Sequence, residues 1–560
     1  MQVSFSRPRS RRTDRAFRSG CAFRWRSLFC LLGASVFFSG CPGPDENPSA
    51  KPRDPFIDIG IGAEPRDLDP HLVTGLPDFQ VMLALFEGLV RSGPCDEVAV
   101  VPGVAEAWTV SENGRRYQFK LREDAAWSNG DPLVAEHFLF SIRRVLNPLL
   151  GSPHAKWLYP ITGAEAFHSG EINFSDVGVT ALSPYRLEIH LDRPVPFFLE
   201  LLKHPAFYPV HPETIREAGA EKSATSGWTH PETFVGNGPY RLSDWKPGEA
   251  IKVQTNPHYT GFEPVRHDRL RFHPIDNANT EELGFRRGQL EITDDVPFNK
   301  RAAYRLSGDP AYREYPVLAT TYLVFNISHP VLKDHRVRQA LSLAVDRRSI
   351  TEDIVLTGTP ASGFVPEAIP GYDTRPYAGQ RIETARRLLA DAGYPGGDGF
   401  PVLEYHLSNS DTSREIAEAI QNMWDRQLGI RIRLVSSEFK VYLNRLNEGN
   451  FQIGYLAWFA DFVDPFAFLN MMHSEGASNR SRWTHPRYDK LLAESSNSSS
   501  LEARFALLKE AESILLDEAP IAPVYWMDAV RLVQPDLDGW EPRLMDLHPH
   551  QYLALPQNAP

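Results

Sequence analysis

The sequence predicts an α/β chain in which helices cover mixed sheets. Two stretches carry that prediction. In the later half, Thr412 and Glu415 fit a capping box, and Ile416, Ile420, Met423 and Leu428 supply an apolar helix face that stops at Gly429. Ile430-Arg-Ile-Arg-Leu434 then alternates as a strand. In the earlier half, Asn113-Gly114 separates two alternating segments, a hairpin signal, and Tyr117, Phe119 and Leu121 form one strand face. Ser128-Asn129-Gly130-Asp131-Pro132 is a turn, and Glu136–Val145 has helical spacing.

From the N-terminus, eight arginines and a single acid, Asp14, precede an uncharged stretch, Ser27–Gly40, that ends at Cys41. A positive segment, an apolar segment and small residues before a cleavage point read as a signal peptide over 1–40, too short for a membrane span. The small residues before Cys41 are similar to a bacterial lipobox and make Cys41 the lipidation site; Phe38 stands where leucine is usual, which leaves ordinary cleavage or a short anchor as alternatives. Residues 41–53 are a polar, proline-rich tether. The net charge of −12 becomes −19 without the first 40 residues, which argues against nucleic-acid binding. Only Cys95 then remains beyond Cys41, so neither a disulfide framework nor a cysteine metal site can form. At 560 residues and 42% hydrophobic content, the chain can bury a large core, in about three to four domains.

Residues 56–68 open as a strand and run into a Gly/Pro-punctuated loop, and Phe79–Val90 follows as a helical run. Helix 382–392 ends at Gly393, and Leu501–Asp517 is a long amphipathic helix. The most informative stretch is Gly454–Asn470. There Asp461 sits among Trp458, Phe459, Ala460 and Phe462, where an unpaired carboxylate is costly to bury and calls for a cation. Asp464, just before Pro465, reads as a helix N-cap with proline at the first helical position.

Catalytic motifs are scarce. H-E-x-x-H, G-x-S-x-G and a phosphate-binding glycine loop are missing. Ser437-Glu-Phe-Lys440 matches S-x-x-K, but its partner motifs are missing, so a nucleophile is disfavoured. His548-Pro-His550 could hold a metal but reads as surface decoration.

The stretch from Val101 to Pro148, Leu68-Asp-Pro-His71, Phe234-Val-Gly-Asn-Gly-Pro-Tyr-Arg-Leu242, Asn256-Pro-His-Tyr259, Asp334-His-Arg-Val-Arg-Gln-Ala-Leu341, Ala390-Asp-Ala-Gly-Tyr-Pro395 and Gly454–Asn470 occur in one order over about 55–535. In this the chain resembles the extracellular solute-binding proteins of peptide ABC importers, the oligopeptide-binding family (solute-binding protein family 5). The resemblance implies a two-lobed periplasmic-binding-protein fold with mixed sheets, a hinge and an extra appended domain. Lobe I would comprise 54–86, 210–313 and 530–560, the appended domain 87–209, and lobe II 314–529. It further implies a monomeric, non-enzymatic lipoprotein without cofactor, periplasmic or at the cell surface, touching the membrane only through its lipid anchor. Such a protein captures short peptides in the interlobe cleft and delivers them to an inner-membrane ABC permease. A nickel chelate, an oligosaccharide or a cell-wall peptide is the alternative cargo, and a surface hydrolase the more distant one.

By the same resemblance, Asp461 pairs with the α-ammonium of the peptide, and Ala457, Phe459 and Leu76 hold its backbone. Phe439 and Trp458 line side-chain pockets, and Asn479 belongs to the same ligand-binding set. Thr74 and Tyr455 stand where a glutamate and a carboxylate-binding arginine are expected, which leaves the amine end better supported than the carboxylate end.

Overall fold

The computed structural model describes residues 56–94, 96–223, 227–373, 381–498 and 500–556. The signal peptide, Cys41, the tether and Cys95 lie outside them. Strands of the described residues assemble into four sheets. In the first, Ile57–Gly60 runs parallel to Arg269–His273, and Ala250–Thr255 and Tyr240–Lys246 continue antiparallel. Side chains at period two (Ile57, Ile59, Ile251, Val253, Leu270 and Phe272) fill one core beside it.

The Asn113-Gly114 hairpin joins Ala105–Val110 to Arg116–Leu121, and Gly114 turns the corner at φ 65°, where a side chain would be strained. Arg186–His190 and Val179–Ser183 complete this antiparallel sheet. Its buried Tyr117, Phe119 and Leu121 share a core with Phe138 and Ile142 of helix Ala135–Leu146. Val90–Ser92 and Val100–Pro102 form a separate two-stranded ribbon.

The largest sheet is mixed, with strand order Thr359–Pro360, Ile521–Leu532, Tyr312–Phe325, Ile453–Phe459, Leu403–Ser408 and Ile432–Ser437. Leu403–Ser408 is parallel to both neighbours, and the other pairs are antiparallel. Helix Asp411–Leu428 covers it through Ile416, Ile420 and Trp424 and ends at Gly429, φ 70°. A Cβ there would meet the Gly396 carbonyl at 2.2 Å, so this corner needs glycine twice over. The α/β class read from the sequence is the class observed.

Three boundaries differ. The cap of helix 411–428 is Ser410, whose hydroxyl accepts the Ser413 N–H, rather than Thr412. The following strand runs 432–437 rather than 430–434. The helix expected over 79–90 spans Leu76–Leu85, because Pro77 suits a first turn and the Asp78 carboxylate gathers the N–H groups of Thr74 and Gly75. Val90 is instead committed to the ribbon.

Two long strands link separate cores. Tyr315, Val317 and Ala319 of Tyr312–Phe325 belong with the first sheet, whereas Leu323 and Phe325 belong with helix 411–428. Its partner Ile521–Leu532 has Ala522 and Val524 in the latter core, and Val530 and Leu532 in a third, smaller one. The pairing of the two strands is interrupted between Pro316 and Thr320 and again between Thr321 and Tyr322, where the cores on either side change over.

Candidate functional site

A cavity of about 900 Å³ opens beside these connecting strands. It is walled by the Thr74–Leu76 turn, by Asp294–Arg301, by Phe459–Val463 and by the inner part of strand 521–532. That volume suits a ligand of several residues or a large organic molecule.

Strand Ile453–Phe459 brings two features to the cavity. The first is a free edge. The Ala460 N–H donates to the Leu318 carbonyl at 2.9 Å, and Ala319 lies opposite Phe459. In an antiparallel ladder, hydrogen-bonded and non-hydrogen-bonded pairs alternate. Leu318–Ala460 is bonded, so the N–H and C=O of Phe459, Ala457 and Tyr455 point away from strand 312–325. On that outer side Leu403–Ser408 pairs only with Ile453 and Gly454. The Tyr442 hydroxyl satisfies Tyr455, accepting its N–H at 2.8 Å and donating to its C=O at 2.6 Å. Ala457 and Phe459, both exposed, keep an open backbone edge.

The second feature is Asp461. Eight carboxylates line the cavity. Glu87, Glu200, Asp294, Asp295 and Asp546 are paired with arginine or lysine, and Glu97 and Asp528 accept backbone N–H groups. Asp461 alone has neither kind of partner among the described residues. Burial pushes its carboxyl up to about 6, opposed only by the charge of Lys156. Above that pH it is an anion with no ion-paired or hydrogen-bonded partner among the described residues. Phe197 stacks on Phe462 at 4.8 Å and on Phe466 at 5.1 Å, and Trp157 meets Phe462 edge-on, so these aromatic rings shield this corner.

Of the other residues singled out from the sequence, Thr74, Leu76 and Phe459 line the same cavity as Asp461. Trp458 does not. Period two turns it with Leu456 toward the opposite face, where its indole donates to the Ala467 carbonyl at 2.8 Å. Tyr455 is half-buried on the helix 411–428 side, its hydroxyl hydrogen-bonded with those of Tyr525 and Thr321. Phe439 is 56% exposed at the start of helix Phe439–Glu448, away from the cavity wall. Asn479 is buried, its amide donating to the carbonyls of His473 and Trp483.

Homology accords with this architecture. A family model described as bacterial extracellular solute-binding proteins, family 5 Middle, matches residues 99–480. The chain belongs to that family. The periplasmic murein peptide-binding protein MppA of Escherichia coli is 35% identical over 493 residues, spanning 86% of this chain and 89% of MppA. The probable deoxycholate-binding periplasmic protein YgiS of E. coli is 32% identical over 488 residues, spanning 85% of this chain and 89% of YgiS. Among solved structures, the periplasmic oligopeptide-binding protein OppAIV of Borrelia burgdorferi superposes with a TM-score of 0.78 at 30% identity, covering 89% of this chain and 99% of that one. These relatives are two-lobed periplasmic binding proteins, and this family 5 protein shares their fold.

Sequence reasoning missed several partners in the family 5 protein. Helix Phe466–Leu469 has Pro465 rather than Asp464 at its cap; Asp464 accepts the Phe466 N–H at 2.8 Å from one residue further back, and it also forms a buried two-point pair with Arg504 at 2.7 Å on each oxygen. His548 and His550 are not surface decoration. Both are buried, His548 between the Asp546 carboxylate and the Glu541 carbonyl and His550 against the Gln80 carbonyl. Their rings answer different neighbours and do not converge on one point. Ser437 closes a strand and Glu438 caps the next helix, accepting the Lys440 N–H, so S-x-x-K here is a strand-to-helix turn.

Proposed function

We propose that this family 5 protein captures short peptides in the cavity and presents them to a membrane ABC permease. The observation that carries the reading is the lone Asp461 carboxylate at the end of an open strand edge. A peptide laid along Ala457 and Phe459 would gain main-chain hydrogen bonds in the manner of an added strand. Its α-ammonium would neutralise Asp461. Main-chain bonds do not read side chains, so breadth of sequence follows. The peptide-binding relatives support the same reading. Lobes of 54–86 with 210–313 and 530–560, and of 314–529, would close about the 312–325 and 521–532 strands. A lipid on Cys41 with the 41–53 tether would keep the protein near its permease.

A second reading rests on YgiS, named for deoxycholate. A bile acid carries no cation for Asp461, which favours the peptide. Two measurements test the choice. Mass spectrometry of ligand co-purified with the full chain should return peptides. Calorimetry should give N-acetylated peptides at least tenfold weaker affinity than free ones. Equal affinity of acetylated and free peptides would sink the proposal.

A further inference from the structure

Four cationic side chains line the cavity: Arg91, Lys203, Arg301 and Arg531. Arg91 has all three nitrogens engaged, by the Pro102 carbonyl, the Tyr552 hydroxyl and Glu263. Arg531 is likewise consumed by Tyr315, Thr293 and Asp546. Lys203 is held by Glu200 and the Glu97 carbonyl. Arg301 differs. Its Nε donates to the Val296 carbonyl at 3.1 Å and its Nη2 to both oxygens of Asp295 at 2.9 and 3.0 Å. Its Nη1 has no partner among the described residues. The guanidinium is therefore clamped along one edge, with two N–H donors left on the other.

We propose that Arg301 is an anion-binding residue of the cleft that receives the terminal carboxylate of the ligand. The inference rests on the peptide reading above and supplies the end of the peptide for which Tyr455 offers no cation. Tyr525, which hydrogen-bonds Tyr455, shares the cavity wall with Arg301 and lies within its field. Arginine suits the task because its planar fork holds a carboxylate in a fixed orientation. Asp295 does two things. It immobilises the guanidinium, and it offsets part of its charge, so a small free anion gains little. A ligand already held by its ammonium and backbone gains a positioned second anchor.

The test uses the full chain and pools of randomised tri- to pentapeptides, as free acids and as C-terminal amides, with bound species quantified by native mass spectrometry. The unmutated protein should prefer acids over amides by about 10- to 100-fold. Arg301→Gln should abolish that preference yet retain the preference for free over acetylated amino termini. Arg301→Lys keeps the charge and the Asp295 pair but loses the second edge. It should behave like the glutamine variant, and it covers the case in which that variant does not fold. Retention of the acid preference in either folded variant overturns the role of Arg301 and leaves the peptide reading standing. Equal binding of acids and amides by the unmutated protein does the same. Indifference to amino-terminal acetylation overturns both.

Discussion

Replacing Asp461 by asparagine keeps the side-chain volume and removes the one cavity carboxylate without a partner. Burial lifts that carboxyl from 3.8 to about 6 in the ligand-free protein. At about 1.36 kcal/mol per pKa unit, holding it ionised costs the folded state about 3 kcal/mol. Because the folded carboxyl titrates above the unfolded one, its contribution to stability is fully present below pH 3.8 and is lost as pH rises through 6. Asp461→Asn should therefore raise the urea midpoint of the ligand-free protein at pH 7.5, by up to about 3 kcal/mol of unfolding free energy, and leave it nearly unchanged at pH 4. The same substitution should weaken peptide binding, since breaking a buried ion pair costs about 3–5 kcal/mol. For the unmutated protein, a bound ammonium pulls the carboxyl back down, so affinity should fall about tenfold per pH unit as pH drops below 6. Urea titration at the two pH values and calorimetry between pH 5 and 8 read all three quantities. An asparagine variant no more stable at pH 7.5 than the unmutated protein, or one that binds free peptides equally well, would refute the reasoning.

Two further substitutions separate the backbone edge from the scaffold. Ala457→Pro removes an N–H that points away from strand 312–325, so it breaks no ladder bond; calorimetry should find peptide affinity reduced about tenfold with the urea midpoint nearly unchanged. Arg504→Met leaves Asp464 buried without its cation and should cost about 3–5 kcal/mol in urea unfolding. Adding Asp464→Asn should recover part of that loss, because the stranded charge is then gone.

Much of the local architecture was legible in the chain. Asn113-Gly114 between alternating segments marks a hairpin, which closes over a four-residue loop with Gly114 at positive φ, and the apolar spacing over 416–428 has one stable continuation, a helix stopped by Gly429. Asp461 in aromatic company already implied a missing cation. Such signals survive because they act over a few residues, where backbone geometry dictates the outcome. The face taken by Trp458 was not legible. Period two puts it opposite Phe459, but only the pairing with strand 312–325 decides which face meets the cavity. Nor were the partners of charged groups. Arg504 lies 40 residues from Asp464, and the buried His548 and His550 are held by elements that only the folded path brings near. The sequence by itself determined the elements, the family and the one acid that no neighbour in the chain could satisfy. Tertiary structure alone decided which cations were spent internally and which nitrogen, on Arg301, was left over, because pairing depends on three-dimensional proximity that local periodicity does not encode.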